Sequence, residues 1–193
     1  MPFATTRTVA LDGAVGHLID VQADVSPGQV ATVMVGRPDA SLNEARDRCR
    51  MAVINSGLDW PNSRRTTVLL SPADLPKRGT HYDLAIATAV LGATGLVPSA
   101  GLTDVLLLGE LTLAGGLRAV PGVLSMVLAA SQRGIRRVIV PEPHGNDTMG
   151  TCPGTPFSTR ASPLRKRSSA ARPRSPSPTN SPTCADTPRR RGS

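Results

Sequence analysis

Apolar and polar positions change period along the chain in a way that predicts strands and helices packed in layers. Residues 5–11 are β-prone, and residues 17–25 alternate, with Ile19, Val21, Ala23 and Val25 on one side and Asp20, Gln22 and Asp24 on the other. A period of two sends successive side chains to opposite faces, so this second run predicts one buried and one wet face. A third strand over 30–35 follows the Pro27-Gly28 turn. The period then lengthens: Leu42, Ala45, Cys49, Ala52 and Val53 recur at helical spacing while Arg46, Asp47 and Arg50 take other faces. Ser41 and Glu44 have the spacing of a capping box at the start of this helix, and Gly57 suits its end.

Residues 66–70 read as a buried strand leading through the loop SPADLPKRGTHYD into a second helix over 83–94. Leu84, Ala85, Ile86, Ala87, Ala89, Val90 and Leu91 surround that helix with apolar groups, which predicts a central position. The stretch VLLLGELTLAGGLRAV reads as a hairpin turning at Gly115-Gly116. A third helix is expected from Pro121 to about Arg133, with Gly134 beyond it, and a last strand over 136–140. The order β-β-β-α-β-α-β-β-α-β predicts an α/β domain with a mixed sheet and packed helices over residues 1–147.

Composition changes at the end of that domain. From Thr148 to Ser193 the one branched aliphatic residue is Leu164, and Pro and Ser occur eight times each in 46 positions. Such a segment cannot offset the entropy lost on ordering its backbone, so 148–193 is expected to be a disordered basic tail. Charge divides at the same point. The tail holds nine of the 22 Lys and Arg but one of the 14 acids, which leaves 13 of each in the body. The net charge of +8 thus belongs to the tail, and the basic isoelectric point carries no information about the folded part.

Three cysteines, Cys49, Cys152 and Cys184, show no C-x-x-C pairing, which argues against a disulfide framework or a zinc site. Cys49 lies on the apolar stripe of the first helix and reads as a small buried hydrophobe. The first residues show no charged segment followed by an apolar run, so a cytoplasmic protein is expected. The uncharged stretch 84–103 is interrupted by Gly92, Gly95, Pro98 and Gly101, and reads as a buried helix plus loop rather than a membrane span.

Candidate chemistry is sparse. Neither Lys77 nor Lys166 follows a glycine, so the phosphate-cradling G-x-x-x-x-G-K motif is absent, as is G-x-G-x-x-G after a strand. His17, His81 and His144 are dispersed, without H-E-x-x-H or clustered carboxylates, and no metal ligand is assigned. Thr80-His81-Tyr82-Asp83 is the one polar cluster at a helix entrance. Thr80 and Asp83 have capping-box spacing, which favours a structural role, while His81 is the candidate general base of a residual hydrolase.

The run PKRGTHYDLAIATAVL, followed by LLLGELTLAGGLRAVPGVLSMVLAASQRGIRRVIVP, resembles the proteolytic domain of the Lon ATP-dependent proteases. Pro76, Lys77 and Gly79 match that domain's P-K-x-G-P-S-A-G segment, and Gly109, Glu110, Thr112, Leu113 and Gly115 match its G-E-I-T-L-x-G segment. The family's nucleophilic serine falls on His81 and its catalytic lysine on Leu124, so the resemblance implies the fold without a hydroxyl-amine dyad. A second resemblance covers about residues 3–143. TVALDGAVGHLIDVQADVSPG, VGRPDASLNEARDRCRMAVINSG and GELTLAGGLRAVPGVL are similar to the N-terminal domain of the magnesium-chelatase-like ATPases associated with bacterial competence, the ComM or YifB type. It implies a fold like ribosomal protein S5 domain 2, shared with Lon.

In that family an AAA+ module with a P-loop follows the N-terminal domain, so ATP and Mg are expected as cofactors of intact members and not of this chain. Here the similarity stops near His144. The composition of the tail is what an out-of-frame reading of GC-rich DNA gives, so the chain is read as a truncated or frameshifted relative, tested by translating the gene in the other frames. The expected function is a non-catalytic domain linked to DNA processing or competence, its partner another copy or another protein. The alternative is sequence-independent nucleic-acid binding through Arg165, Lys166, Arg167, Arg172, Arg174, Arg189, Arg190 and Arg191 of the tail.

Overall fold

The computed structural model describes residues 3–142. Eight strands and three helices follow one another as β1 (Phe3–Asp12), β2 (Val15–Ser26), β3 (Ala31–Val35), α1 (Ala40–Asn55), β4 (Arg65–Ser71), α2 (Asp83–Ala93), β5 (Val105–Leu107), β6 (Glu110–Leu111), β7 (Leu117–Arg118), α3 (Val123–Gln132) and β8 (Arg137–Ile139), with a single 3₁₀ turn, Leu102–Asp104, before β5. Six strands form a mixed sheet in the order β3-β4-β2-β1-β5-β8, and β6 and β7 form a separate two-stranded ribbon. The mixed-sheet α/β class expected from the sequence is therefore what the chain adopts.

The sheet is anchored by the long antiparallel pair β1–β2, in register from Phe3 opposite Asp24 to Asp12 opposite Val15. β4 pairs antiparallel with β2 and parallel with β3, so β3 is one edge of the sheet. Alternation holds along β2, where Ile19, Val21, Ala23 and Val25 are buried and their polar neighbours are not. His17, expected at the start of that buried face, is only half-buried because it lies near the strand's exposed end.

Helix α2 is buried at ten of its eleven positions, from Asp83 to Ala93. It packs on β1 and β2 and against α1, which accounts for a segment apolar on every side. Truncating a side chain such as fully buried Leu91 to Ala would cost about 2–5 kcal/mol by this burial. α3 covers β1 and β2 through Met126, Ala129 and Ala130, and leaves Leu124 and Leu128 outward.

Four local expectations are corrected. The start of α1 is not a Ser41–Glu44 box. Asp39 caps it, accepting the Leu42 amide at 2.8 Å and the Ser41 hydroxyl at 2.9 Å. A carboxylate is a stronger acceptor at this positive helix end than the Ser41 hydroxyl, and it sits earlier in the chain. Thr80 and Asp83 form no capping box either, since α2 starts at Asp83 with no side-chain cap and both residues have partners elsewhere. The predicted hairpin divides in two. Val105–Leu107 joins the main sheet between β1 and β8, and the shorter β6–β7 pair turns through Gly115, whose φ of +84° is left-handed. Pro121 stays outside α3, which begins after Gly122.

Candidate functional site

A cluster of buried and half-buried polar residues lies where α1, α2 and the β6–β7 ribbon meet. Arg48 on α1 presents its guanidinium edge-on to Asp83 at the start of α2, with Nε donating to Oδ2 at 2.8 Å and Nη2 to Oδ1 at 3.1 Å. The Asp83 side chain is fully buried, whereas that of Arg48 retains 19% exposure. Oδ2 also accepts the Leu111 amide of β6 at 3.2 Å, so one carboxylate joins three elements. Arg48 has two further tethers, a bond to the Ser41 carbonyl at 3.0 Å and an approach to Glu44 at 3.5 Å. Burial pushes the Asp83 carboxyl up, and the Arg48 fork and the Leu111 amide oppose that shift. Cys49 lies beneath the pair, its thiol donating to the Asp83 carbonyl at 3.2 Å, and burial pushes that thiol well up.

Thr80 and Glu110 form the outer side of the cluster. The Thr80 hydroxyl donates to Glu110 Oε2 at 2.5 Å, and Arg118 of β7 stands 4.0 Å from Oε1. Its proton thus committed to a carboxylate, the Thr80 hydroxyl is held as a structural tie. His81 turns inward and is 7% exposed, stacked on Tyr82 with ring centroids 4.1 Å apart. Its Nε2 lies 2.8 Å from the Val9 carbonyl of β1. A carbonyl only accepts, so Nε2 carries the proton and Nδ1 is left as the acceptor, facing Gly79. Burial lowers the His81 pKa, which keeps the ring neutral. Among the described residues no hydroxyl or thiol is hydrogen-bonded to this imidazole, so a base without an adjacent nucleophile is what the geometry provides.

The second position of the family dyad, Leu124, is 55% exposed on the outer face of α3. Gly122, just before α3, lies against Leu11 of β1, two residues from the carbonyl that holds His81. One position of the dyad thus carries an imidazole tied to backbone and the other an exposed alkyl group. Lys77, which matches the proline-lysine segment, is fully buried and donates to the Pro72 carbonyl, and burial lowers its pKa. It ties the loop before α2 together.

No group of three or more His, Cys, Asp or Glu able to hold a metal occurs among the described residues. No helix among them is long and apolar enough to cross a membrane. His144 and the eight basic residues assigned to nucleic acid, Arg165 to Arg191, lie outside the described residues, as do Cys152 and Cys184. Arg48 carries no signal in the sequence because it falls beside the apolar stripe, one position before Cys49, and its partner Asp83 is 35 residues away. Glu110 was noticed only as part of a motif, since nothing local connects it with Thr80, thirty residues away.

Comparison with known proteins agrees with the two resemblances. The family described as subunit ChlI of Mg-chelatase matches residues 21–144. Over 141 residues the chain is 48% identical to an uncharacterized protein of Mycobacterium tuberculosis, covering 73% of this chain and 28% of that one. It is 42% identical over 140 residues to the uncharacterized protein YifB of Escherichia coli, covering 72% and 27%. The competence protein ComM of Haemophilus influenzae is 35% identical over 147 residues, covering 76% and 28%. Similarity to the Lon protease of Rhizobium meliloti is weaker, at 28% over 138 residues. The chain spans little more than a quarter of the length of these curated relatives from Mycobacterium tuberculosis, Escherichia coli and Haemophilus influenzae.

Proposed function

The chain belongs to the family of subunit ChlI of Mg-chelatase, and on that premise we propose that its body is a non-catalytic, contact-making domain of a magnesium-chelatase-like ATPase linked to DNA processing in competence. The fold, on this reading, is the S5 domain 2-like one shared with the Lon proteolytic domain, and the setting is cytoplasmic. One observation carries the non-catalytic part. Where a Lon-type dyad needs a hydroxyl and an amine, the chain has His81, its Nε2 fixed on the Val9 carbonyl, and Leu124, an exposed alkyl side chain. Two neighbouring polar pairs, Arg48–Asp83 and Thr80–Glu110, are consumed in mutual ties.

ATP and Mg belong, on this reading, to the additional length of the relatives. The residues described here do not fit a nucleotide's phosphates in the P-loop manner: no glycine-rich loop precedes a lysine, and Lys77 is spent on a backbone carbonyl. The link to competence rests on 35% identity to a protein named for it.

A segment exchange tests the proposal. Residues 3–142 replace the matching segment of the Haemophilus influenzae competence protein, and transformation frequency is measured against the parent and against deletion of the segment. The exchange is expected to retain most of the parent's frequency while the deletion loses it. An exchange no better than the deletion contradicts a shared contact role.

A further inference from the structure

A second polar surface lies away from the Arg48–Asp83 cluster. Between α1, the edge strand β3 and the loop before β4 runs an open cleft of about 280 Å³. Its charged lining is Arg46, Arg50 and Arg64 against one carboxylate, Asp47. This excess is local, because the described body taken whole is nearly balanced in charge.

The three guanidinium groups are held unequally. Arg46 is paired with Asp47 through Nε and Nη2, both at 3.2 Å, and that pairing lowers the Asp47 pKa. Arg50 is aimed by one bond, Nε to the Asn62 side-chain oxygen at 2.9 Å, which leaves its two terminal nitrogens free to donate. Arg64 has no side-chain hydrogen bond or ion pair among the described residues. Arg46 and Arg50 stand one helical turn apart, about 6 Å along the axis, a spacing on the scale of successive phosphates in a strand. Like charges at this spacing destabilise a helix by themselves, and an anion between them offsets that cost. Trp60 closes the cleft floor but is only 6% exposed, so it offers no face on which a base stacks.

We propose that this cleft binds the phosphodiester backbone of a nucleic-acid strand without reading its sequence, through Arg50 and Arg64 with Arg46 flanking. Planar guanidinium groups with free N–H edges match phosphate oxygens in pairs. The cleft is half-open to solvent rather than enclosed, which gives an extended strand access to its arginines. The site is distinct from the tail arginines considered in the sequence, and it does not depend on the contact role proposed above.

Trp60 is the one tryptophan in the chain, so its emission reports on this cleft and not on the tail. The full chain is titrated with a single-stranded oligonucleotide while Trp60 fluorescence and the anisotropy of a labelled strand are followed together, from low to moderate salt. Saturable change in Trp60 emission is expected, with log affinity falling linearly in log salt. In Arg50→Ala/Arg64→Ala the Trp60-reported affinity is expected to fall at least tenfold at low salt, with the slope reduced by about 0.7 for each arginine removed. Both residues are exposed, and circular dichroism checks that the fold persists. Four results overturn the proposal: no binding, strand binding by anisotropy with Trp60 unchanged, an unaltered salt slope in the double variant, or equal occupation of the cleft by inorganic phosphate or poly-glutamate at matched charge.

Discussion

Replacing Arg48 by Met and Asp83 by Asn separates two charges that the fold buries to different depths. In Arg48→Met the Asp83 carboxylate, fully buried, loses a two-point partner and keeps the Leu111 amide as its remaining donor. Removing one partner of a buried pair costs about 3–5 kcal/mol. In Asp83→Asn the amide oxygen still accepts from Leu111, and Arg48, 19% exposed, retains the Ser41 carbonyl and the approach to Glu44. A cost of about 1–2 kcal/mol is expected there, that of a lost charge-assisted hydrogen bond. With a urea slope of about 2 kcal/mol/M, the first variant should lower the unfolding midpoint at pH 7 by about 2 M and the second by less than about 1 M.

The pH dependence carries the sign of the argument. Burial already raises the Asp83 pKa, and loss of Arg48 raises it further, so the folded state binds a proton more tightly than the unfolded chain does. The penalty in Arg48→Met is therefore complete above the raised pKa and disappears as pH falls toward the ordinary carboxyl value of 3.8. Urea midpoints of the two single variants, the double variant and the parent, taken from pH 7 to pH 4, measure this. The double variant should be more stable than Arg48→Met alone at pH 7. Equal losses in the two single variants, or a loss in Arg48→Met that persists unchanged at pH 4, would refute the reasoning.

Other consequences follow from the same geometry. His81 has a lowered pKa, so between its ordinary value of 6.5 and that lower value the unfolded chain takes up a proton that the folded one refuses; stability should fall as pH drops through this window, and His81→Gln, which can still donate to Val9, should flatten the dependence in thermal melts. Gly115→Ala places a Cβ 2.0 Å from the Ser56 hydroxyl at a left-handed φ, and that hydroxyl is itself bonded to the Ala52 carbonyl; a loss of about 2–4 kcal/mol is expected by urea unfolding from backbone strain and a broken bond. Gly36→Ala directs a Cβ to 2.2 Å from the Leu70 carbonyl oxygen, a backbone atom with little room to yield, so this variant should fail to accumulate as folded protein in expression trials.

Elements with long, regular periods were the legible part of the fold. The alternation of β2 and the uniformly apolar α2 are visible in the sequence because each depends on one sheet face or one surrounding core. The assignment of Val105–Leu107 to the main sheet was not, since a three-residue strand has no period and its partners, β1 and β8, are distant in the chain. Caps were illegible for two reasons: at α1 the neighbouring Asp39 carboxylate displaces Ser41 as the acceptor, and at α2 distant partners draw Thr80 and Asp83 away. At the candidate site, His81 and Leu124 could be placed by motif matching alone. That His81 is tied to Val9 and that Arg48 and Glu110 complete the cluster depend on contacts 72, 35 and 30 residues apart in sequence.

Turnover of fluorogenic casein by the purified chain, parent against His81→Ala with the fold of each checked by circular dichroism, tests most directly whether the site is a structural knot and not a catalyst. No hydrolysis above buffer is expected from either protein. Hydrolysis by the parent that disappears in folded His81→Ala would contradict the account and make the imidazole a working base.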